Sequence, residues 1–284
     1  MKKFIAMMLA LVLVACCFAA CQQNPTEDKT PAADQNQPAD TAGAAENDEG
    51  TESDLEYILA NGLLVVGITE YAPMDYKDEN GEWTGFDAEL ARAFAEELGV
   101  ECEFFVLADW GKKFFELDAM NIDCVWNGMT ITDEAKSNAT VSDPYVINAQ
   151  VVVMKSENLA NYPDVESMME LTFAVEQGSA GQAVAEEYGL QTVTKQDQAG
   201  ALMEVAAGTA DACVIDITMA NAMTGEGTDY AALGVGISLS SEEYGVAFRT
   251  GSEVAEKLNE FLAAMEADGR LQALAEKYQL TLAG

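Results

Sequence analysis

Residues 122–149, IDCVWNGMTITDEAKSNATVSDPYVINA, contain the pattern that is most informative about the fold of this chain. Its apolar residues 124–126 predict a short buried strand. The strand is expected to end at Gly128, where glycine permits a sharp turn and leaves its amide open to a ligand. Thr130 and Thr132 then precede an acidic pair suited to a helix N-terminus. Together these features predict a cradle for a small polar molecule, with an ordinary strand-to-helix connection as the alternative.

Short apolar runs alternate with helical patterns on both sides of this stretch. Residues 63–68 and 100–107 predict strands, and residues 85–98 predict an amphipathic helix between them. After residue 150, strand, turn and helix recur as a second small α/β unit. Such alternation indicates an α/β fold with mainly parallel sheets, in which ligands bind at the C-terminal ends of strands.

The order of residues in the central stretch resembles a known family. The run Asn127 to Thr132, followed about ten residues later by Ser142-Asp143-Pro144-Tyr145, is similar to the extracellular solute-binding proteins of family 3. These proteins carry polar amino acids to ABC importers, and the resemblance extends from about Leu55 to the C-terminus. It implies a two-lobe, type II periplasmic-binding-protein-like fold. Two crossover strands would join the lobes and let them close around a ligand.

The N-terminus has the features of a lipoprotein signal peptide. A basic start precedes an apolar run of roughly 17 residues, shorter than the ~20 that a membrane-spanning helix, the alternative, would need. Both Cys16 and Cys21 end a sequence that resembles a lipobox. Signal length and the abrupt polarity after Cys21 favour Cys21, although Cys16 has the better residue three places upstream. An acylated cysteine would anchor the protein stably to the extracytoplasmic face of a bacterial membrane.

Composition predicts a disordered tether after the signal, and the family resemblance implies that the rest of the chain forms two lobes. Residues 22–53 are rich in acids, Ala, Gln and Pro and contain no aromatic residue, so they cannot bury enough apolar surface to fold. The predicted parts are residues 1–21 as signal peptide and acylation site, 22–53 as acidic tether, 54–145 with 244–284 as lobe 1, and 150–241 as lobe 2.

Charge and cysteine usage exclude several classes of partner. A formal net charge of −35 argues against binding to nucleic acid or to an anionic membrane surface. The chain contains no histidine, and Cys102, Cys124 and Cys213 lack the spacing of a zinc site. We therefore expect no metal and no cofactor. The three cysteines are predicted to be buried free thiols, with a disulfide as the less favoured alternative.

The family resemblance assigns all but one of the predicted ligand contacts. The predicted binding residues are Glu70, Tyr71, Trp110, Gly128, Thr130, Ser179 and Asp216, of which Glu70 has no matching family position. Tyr71 and Trp110 match the aromatic rings that sandwich the ligand, an arrangement that also suits a cation. Ser179 matches a carboxylate contact, and Asp216 matches the acid that pairs with the α-ammonium. Without the resemblance, both aromatic residues could belong to the core, and Asp216 could simply cap the next helix.

One departure from the family pattern concerns the ligand. The family carries an arginine at the position of Ala135, where it grips the α-carboxylate with two hydrogen bonds. Lys136 points about 100° away on a helix and should not replace it. The cavity is therefore expected to hold Glu70, Glu176 and Asp216 without a basic side chain. This favours an amine-rich or neutral ligand, or weak binding of amino acids, and strong binding of glutamate or aspartate in a calorimetric titration would contradict it.

The function expected from these features is that of a monomeric solute-binding component of an ABC importer. It would bind a small polar amino acid or a related amine between its lobes and deliver it to a membrane permease. A ligand-sensing protein is one alternative. A dehydratase-like enzyme acting on prephenate-like acids is another, but its dianionic substrate does not suit a site without arginine.

Overall fold

The computed structural model describes residues 53–284. The predicted signal peptide, the acylation sites Cys16 and Cys21, and nearly all of the tether lie outside the described residues. The helices are α1 (Asp54–Asn61), α2 (Phe86–Leu98), α3 (Lys113–Asp118), α4 (Asp133–Asn138), α5 (Ala180–Glu187), α6 (Gln198–Ala207), α7 (Ile217–Met223), α8 (Val254–Ala267) and α9 (Arg270–Tyr278). Short 3₁₀ helices cover Trp110–Lys112, Ser156–Asn161 and Glu166–Met168.

The strands fall into two large sheets and one small hairpin. They are β1 (Leu63–Ile68), β2 (Tyr76–Lys77), β3 (Trp83–Thr84), β4 (Glu101–Val106), β5 (Cys124–Thr130), β6 (Thr140–Val141), β7 (Val146–Asn148), β8 (Gln150–Lys155), β9 (Thr172–Glu176), β10 (Gln191–Lys195), β11 (Ala212–Asp216), β12 (Leu233–Ser238) and β13 (Glu242–Phe248). The hairpin pairs β2 with β3 across the turn at Asp78 to Gly81.

The first sheet has the strand order β4-β1-β5-β13-β6, and β7 also pairs with β13. Its β4, β1 and β5 are parallel, whereas β13 runs antiparallel to its neighbours. The second sheet has the order β10-β9-β11-β8-β12. Its β10, β9 and β11 are parallel, and β8 and β12 are antiparallel. Each sheet is thus mixed rather than mainly parallel, because a returning strand adds an antiparallel side to a parallel core.

Two neighbouring segments connect the sheets. The chain leaves the first sheet through β7 and enters the second at Gln150, and it returns through Ser238 to Glu242. These two passages pair with each other, since Asn148 lies opposite Glu242 and Ile147 opposite Glu243. The described chain therefore contains two α/β units joined by a paired double crossover, the arrangement that permits hinge motion. The predicted lobe bounds themselves stay a prediction.

The central strand β5 corrects one expectation. It does not end at Gly128 but continues through this glycine to Thr130. Gly128 has a φ of 54°, and the pairing of β5 with β13 shifts its register between Gly245 and Ala247. The amide of Gly128 donates to Asp87 Oδ2 at 2.6 Å, so it is not open to a ligand as predicted. A buried carboxylate thus satisfies the backbone group that the irregular strand leaves unpaired.

The cores of the two units are apolar, and the predicted thiols lie in or beside them. Cys124 and Cys213 are fully buried, Cys102 is half-buried, and all three are free. Burial raises the pKa of the Cys102 thiol to about 11. Within residues 53–284, no helix combines the length and the apolar character needed to cross a bilayer.

Candidate functional site

A cavity of about 270 Å³ lies between the two sheets and is lined by both of them. From the first sheet come the end of β1, the start of α3, the end of β5 and the start of α4. From the second come the first residue of β8, the ends of β9 and β11, and the starts of α5 and α6. C-terminal strand ends and helix N-termini therefore converge on one space, as expected for ligand sites in α/β folds.

The cavity brings together six of the seven predicted binding residues. The six that line it are Tyr71, Trp110, Gly128, Thr130, Ser179 and Asp216. Glu70 does not line it, and its side chain is exposed to solvent. Side chains of successive residues in extended chain point to opposite sides, so Tyr71 faces inward and Glu70 outward. The expectation that the cavity holds Glu70 is therefore wrong.

Asp216 lies at the junction of β11 and α7 with its carboxylate held by three amide side chains. Its Oδ1 accepts hydrogen bonds from Gln150 Nε2 at 2.8 Å and from Asn148, and its Oδ2 accepts one from Gln198. It occupies the N-cap position of α7 but makes no capping hydrogen bond, which rules out the alternative that it serves as a simple cap. Burial raises its pKa to about 6, with a further rise from the charge of Glu242.

Tyr71 connects the two sheets at the bottom of the cavity. Its ring is 3% exposed, and its hydroxyl bonds to Thr218 of α7 and to Tyr244 of β13, the latter at 2.5 Å. Burial raises the pKa of Tyr71 well above its usual value. Trp110 is 7% exposed and lies at the start of the 3₁₀ helix before α3. Both rings thus belong to apolar clusters and also present a face to the cavity.

Thr130 and Glu242 extend the polar network beside Asp216. Thr130 Oγ1 donates to Glu242 Oε2 at 2.9 Å. This carboxylate oxygen of Glu242 also accepts a hydrogen bond from Gln150 Nε2 at 3.0 Å. Thr132 caps α4, because its hydroxyl accepts from the Ala135 amide at 3.0 Å. The helix start that the sequence predicts after Thr132 is therefore present, and uncharged Ala135 lines the cavity.

The turn between β9 and α5, which belongs to the second sheet, contacts the backbone of the first unit beside the cavity. Ser179 caps α5 by accepting a hydrogen bond from the Gln182 amide at 3.1 Å. Gly178 has a φ of 72°, and a Cβ placed on it would lie 2.5 Å from the Cα of Gly111. Backbone from the two units therefore meets here at a distance that only two glycines allow. The two halves are in contact across the cavity rim.

Glu176 is the last residue of β9 and contributes a second carboxylate to the cavity. It is 4% exposed, and within the described chain its Oε1 has no hydrogen-bond partner. Burial raises its pKa to about 8, Asp216 and Asp197 raise it further, and Lys113 opposes the rise. An unpaired buried acceptor of this kind costs free energy until a donor reaches it.

Lys113 corrects the expectation of a cavity without a basic side chain. It is the first residue of α3, is 6% exposed and lines the cavity. Its Nζ lies 4.9 Å from the centre of the Trp110 ring. The sequence could have predicted that Lys113 faces the cavity, because residues three apart on a helical turn share a face and Lys113 follows Trp110 by three.

Gln150 and Gln198 are further site residues that sequence reasoning misses. Both hold Asp216, but they reach it from β8 and from the start of α6, far apart in the chain. Nothing in the local pattern of either residue indicates this role. Among the charged residues that line the cavity within the described chain, Lys113 is basic and Asp133, Glu134, Glu176 and Asp216 are acidic.

Comparison with known proteins places this geometry in a family. The sequence profile of the bacterial extracellular solute-binding proteins, family 3, matches residues 64–281. The chain belongs to this family, as the sequence resemblance predicts.

Individual relatives of the chain are binding proteins. The L-cystine-binding protein TcyJ of Escherichia coli (strain K12) is 30% identical over 241 residues, which are 84% of this chain and 90% of TcyJ. The arginine-binding extracellular protein ArtP of Bacillus subtilis (strain 168) is 30% identical over 223 residues, 76% of this chain and 85% of ArtP.

A solved structure gives the same fold. The crystal structure of the ancestral amino acid-binding protein AncCDT-1, described as a precursor of cyclohexadienyl dehydratase, superimposes with a TM-score of 0.73 at 35% identity. The match covers 80% of this chain and 99% of that chain. The protein therefore has the two-lobe α/β fold of the amino-acid-binding proteins.

Proposed function

We propose that this protein is the extracytoplasmic solute-binding component of an ABC importer. It binds one small polar amino acid or a related amine between its two sheets and presents it to a membrane permease. The observation that carries the proposal is the shared cavity, in which six ligand contacts expected from the family come together from both sheets. A volume of about 270 Å³ suits a molecule of amino-acid size.

The polar groups of the cavity support an ammonium ligand. Asp216 accepts three side-chain hydrogen bonds and keeps acceptor capacity, since a carboxylate has about four lone-pair sites. Glu176 adds an acceptor without a partner in the described chain. The α-ammonium of the ligand would donate to Asp216, with Glu176 nearby, while Tyr71 and Trp110 would contact its side chain.

We further propose that the protein is not an enzyme. Four acids and one base line the cavity, so a dianion of the prephenate type would meet mostly like charge. The remaining features of the proposal concern the chain outside the described residues. The protein would be a monomer held at the extracytoplasmic face of the bacterial membrane by acyl chains on Cys21 or Cys16, with the acidic segment as tether.

Calorimetric titration of the purified protein with the twenty amino acids, L-cystine and related amines such as agmatine and cystamine tests the proposal. At least one of these compounds is expected to bind with 1:1 stoichiometry, and to raise the unfolding temperature because it binds only the folded state. An absence of binding across the whole set, or catalytic turnover of a bound compound, would contradict the proposed function.

Closure of the two halves around the ligand can be tested at Gly178. The variant Gly178→Ala is expected to weaken ligand binding at least about tenfold, because its methyl group would collide with Gly111 when the halves meet. Gly189→Ala is the matched control, since Gly189 has a φ of 73° and an added Cβ would lie 3.7 Å from its nearest neighbour, on Met169. Both variants carry the same backbone strain, so equal effects on binding would show that the contact between Gly178 and Gly111 is irrelevant.

A further inference from the structure

The side chain of Lys113 is fixed at the cavity by its surroundings. It is 6% exposed, and its Nζ lies 4.9 Å from the ring centres of both Trp110 and Phe114. These are cation–π contacts of the ammonium itself, and its contact with the Gly178 carbonyl places it at the gap between the two sheets.

The ammonium of Lys113 lacks a charged partner in the described chain. Its hydrogen bonds go to the carbonyl oxygens of Trp110 and Gly178, both at 3.4 Å, which is long for a bond from nitrogen. Within residues 53–284 no carboxylate lies within ion-pair distance of it. Burial lowers the pKa of Lys113, while Glu134, Glu176 and Asp109 oppose this from farther away. A buried ammonium with three donors and two long contacts remains under-bonded.

The group opposite Lys113 is the start of helix α5. The contact with the Gly178 carbonyl places the ammonium beside the turn that leads through Ser179 into Ala180. The first amides of a helix have no carbonyl acceptor within it, and they carry the positive end of its dipole. A cation from one sheet therefore lies beside a helix start from the other, and both line the same cavity. Ala135, which lines the same cavity, contributes no charge.

We propose that Lys113 binds the carboxylate of the ligand against the start of α5. This inference rests on the proposed function and narrows it to a class of ligand. An α-amino acid would place its ammonium at Asp216 and its carboxylate between Lys113 and Ser179, whereas an amine without a carboxylate would leave Lys113 under-bonded. Lys113 thus selects zwitterionic amino acids over the corresponding amines, in a site where residue 135 offers no basic group.

Titration of amino acids against their decarboxylated amines tests this proposal. Each L-amino acid that binds the purified protein is paired with its amine, beginning with L-arginine and agmatine and with L-cystine and cystamine. The unaltered protein is expected to bind the amino acid at least about tenfold more tightly than the amine. Lys113→Met should weaken amino-acid binding by about 10- to 100-fold and leave amine binding within about twofold.

Two further variants separate charge from structure. Lys113→Arg retains the cation and should restore part of the preference for the amino acid. Lys112→Met removes the adjacent exposed lysine, which pairs with Asp109, and should change neither affinity. An equal loss for amino acid and amine in Lys113→Met, or no loss for either, would overturn the proposal. If the unaltered protein binds amines but no amino acid, the Lys113 proposal fails; if it binds neither, the proposed function fails instead.

Discussion

Replacing Asp216 by Asn is expected to weaken amino-acid binding by about 100- to 4,000-fold. The carboxylate is 4% exposed and is the group that would pair with the ligand's ammonium. Removing one partner of a buried ion pair costs about 3–5 kcal/mol, because the other charge is left uncompensated. Each 1.4 kcal/mol corresponds to a factor of about ten in the dissociation constant, which gives the expected range. Titration calorimetry measures it directly.

The substitution conserves shape, so the fold should survive. The Asn side chain retains one oxygen that can accept from Gln150 or Gln198, and the unfolding temperature of the empty variant serves as a check. Asp229→Asn is the matched control, because Asp229 is exposed on the same half of the molecule. An affinity of Asp216→Asn within about threefold of the unaltered protein would exclude Asp216 as the ammonium site.

Replacing Glu176 by Gln is expected to stabilise the empty protein at alkaline pH. The pKa of Glu176 is raised to about 8 in the folded state, first by burial and then by Asp216 and Asp197. In the unfolded chain the pKa of this carboxyl group is about 4.3. Between these two pKa values the folded state binds one proton more than the unfolded chain. The free energy of unfolding therefore falls as pH rises from the lower pKa to the higher one. Above pH 8 the loss of folding stability is on the order of 5 kcal/mol, at about 1.4 kcal/mol for each unit of the pKa shift from about 4.3 to about 8.

The measurement is the difference in unfolding free energy between the variant and the unaltered protein. It should be small at pH 5 and should grow in favour of Glu176→Gln as pH approaches 8, because the Gln amide cannot ionise. Other buried acids titrate in both proteins, so the difference in unfolding free energy isolates the contribution of Glu176. Glu187→Gln, which alters an exposed residue of α5, should give no such trend. A difference that does not change with pH would mean that Glu176 ionises normally.

Much of this architecture is accessible from the sequence because strand ends carry a recognisable signal. Asp216 closes an apolar run, and the structure ends β11 at that residue. Ser179 follows a strand and a glycine, and it caps the next helix. Apolar runs define strands, glycines and hydroxyl residues mark the boundaries, and parallel strand ends meet at one edge of a sheet.

The remaining features depend on contacts between distant parts of the chain. The strand β5 passes through Gly128 because β13 pairs beyond it and Asp87 takes the Gly128 amide, and neither partner is near in sequence. Gln198 reaches Asp216 across 18 positions. Glu70 is predicted to line the cavity, yet the alternation of side chains turns it to solvent. The Glu70 error is thus local, whereas the others arise where tertiary contacts decide the outcome.

Hydrogen exchange measured by mass spectrometry can show whether one ligand contacts both sheets at once. With a saturating amino acid that binds in calorimetry, exchange is expected to slow in two separate regions, residues 110–135 and residues 176–216. Exchange slowed in only one of these regions, or slowed elsewhere while both remain unchanged, would contradict a site shared between the two halves.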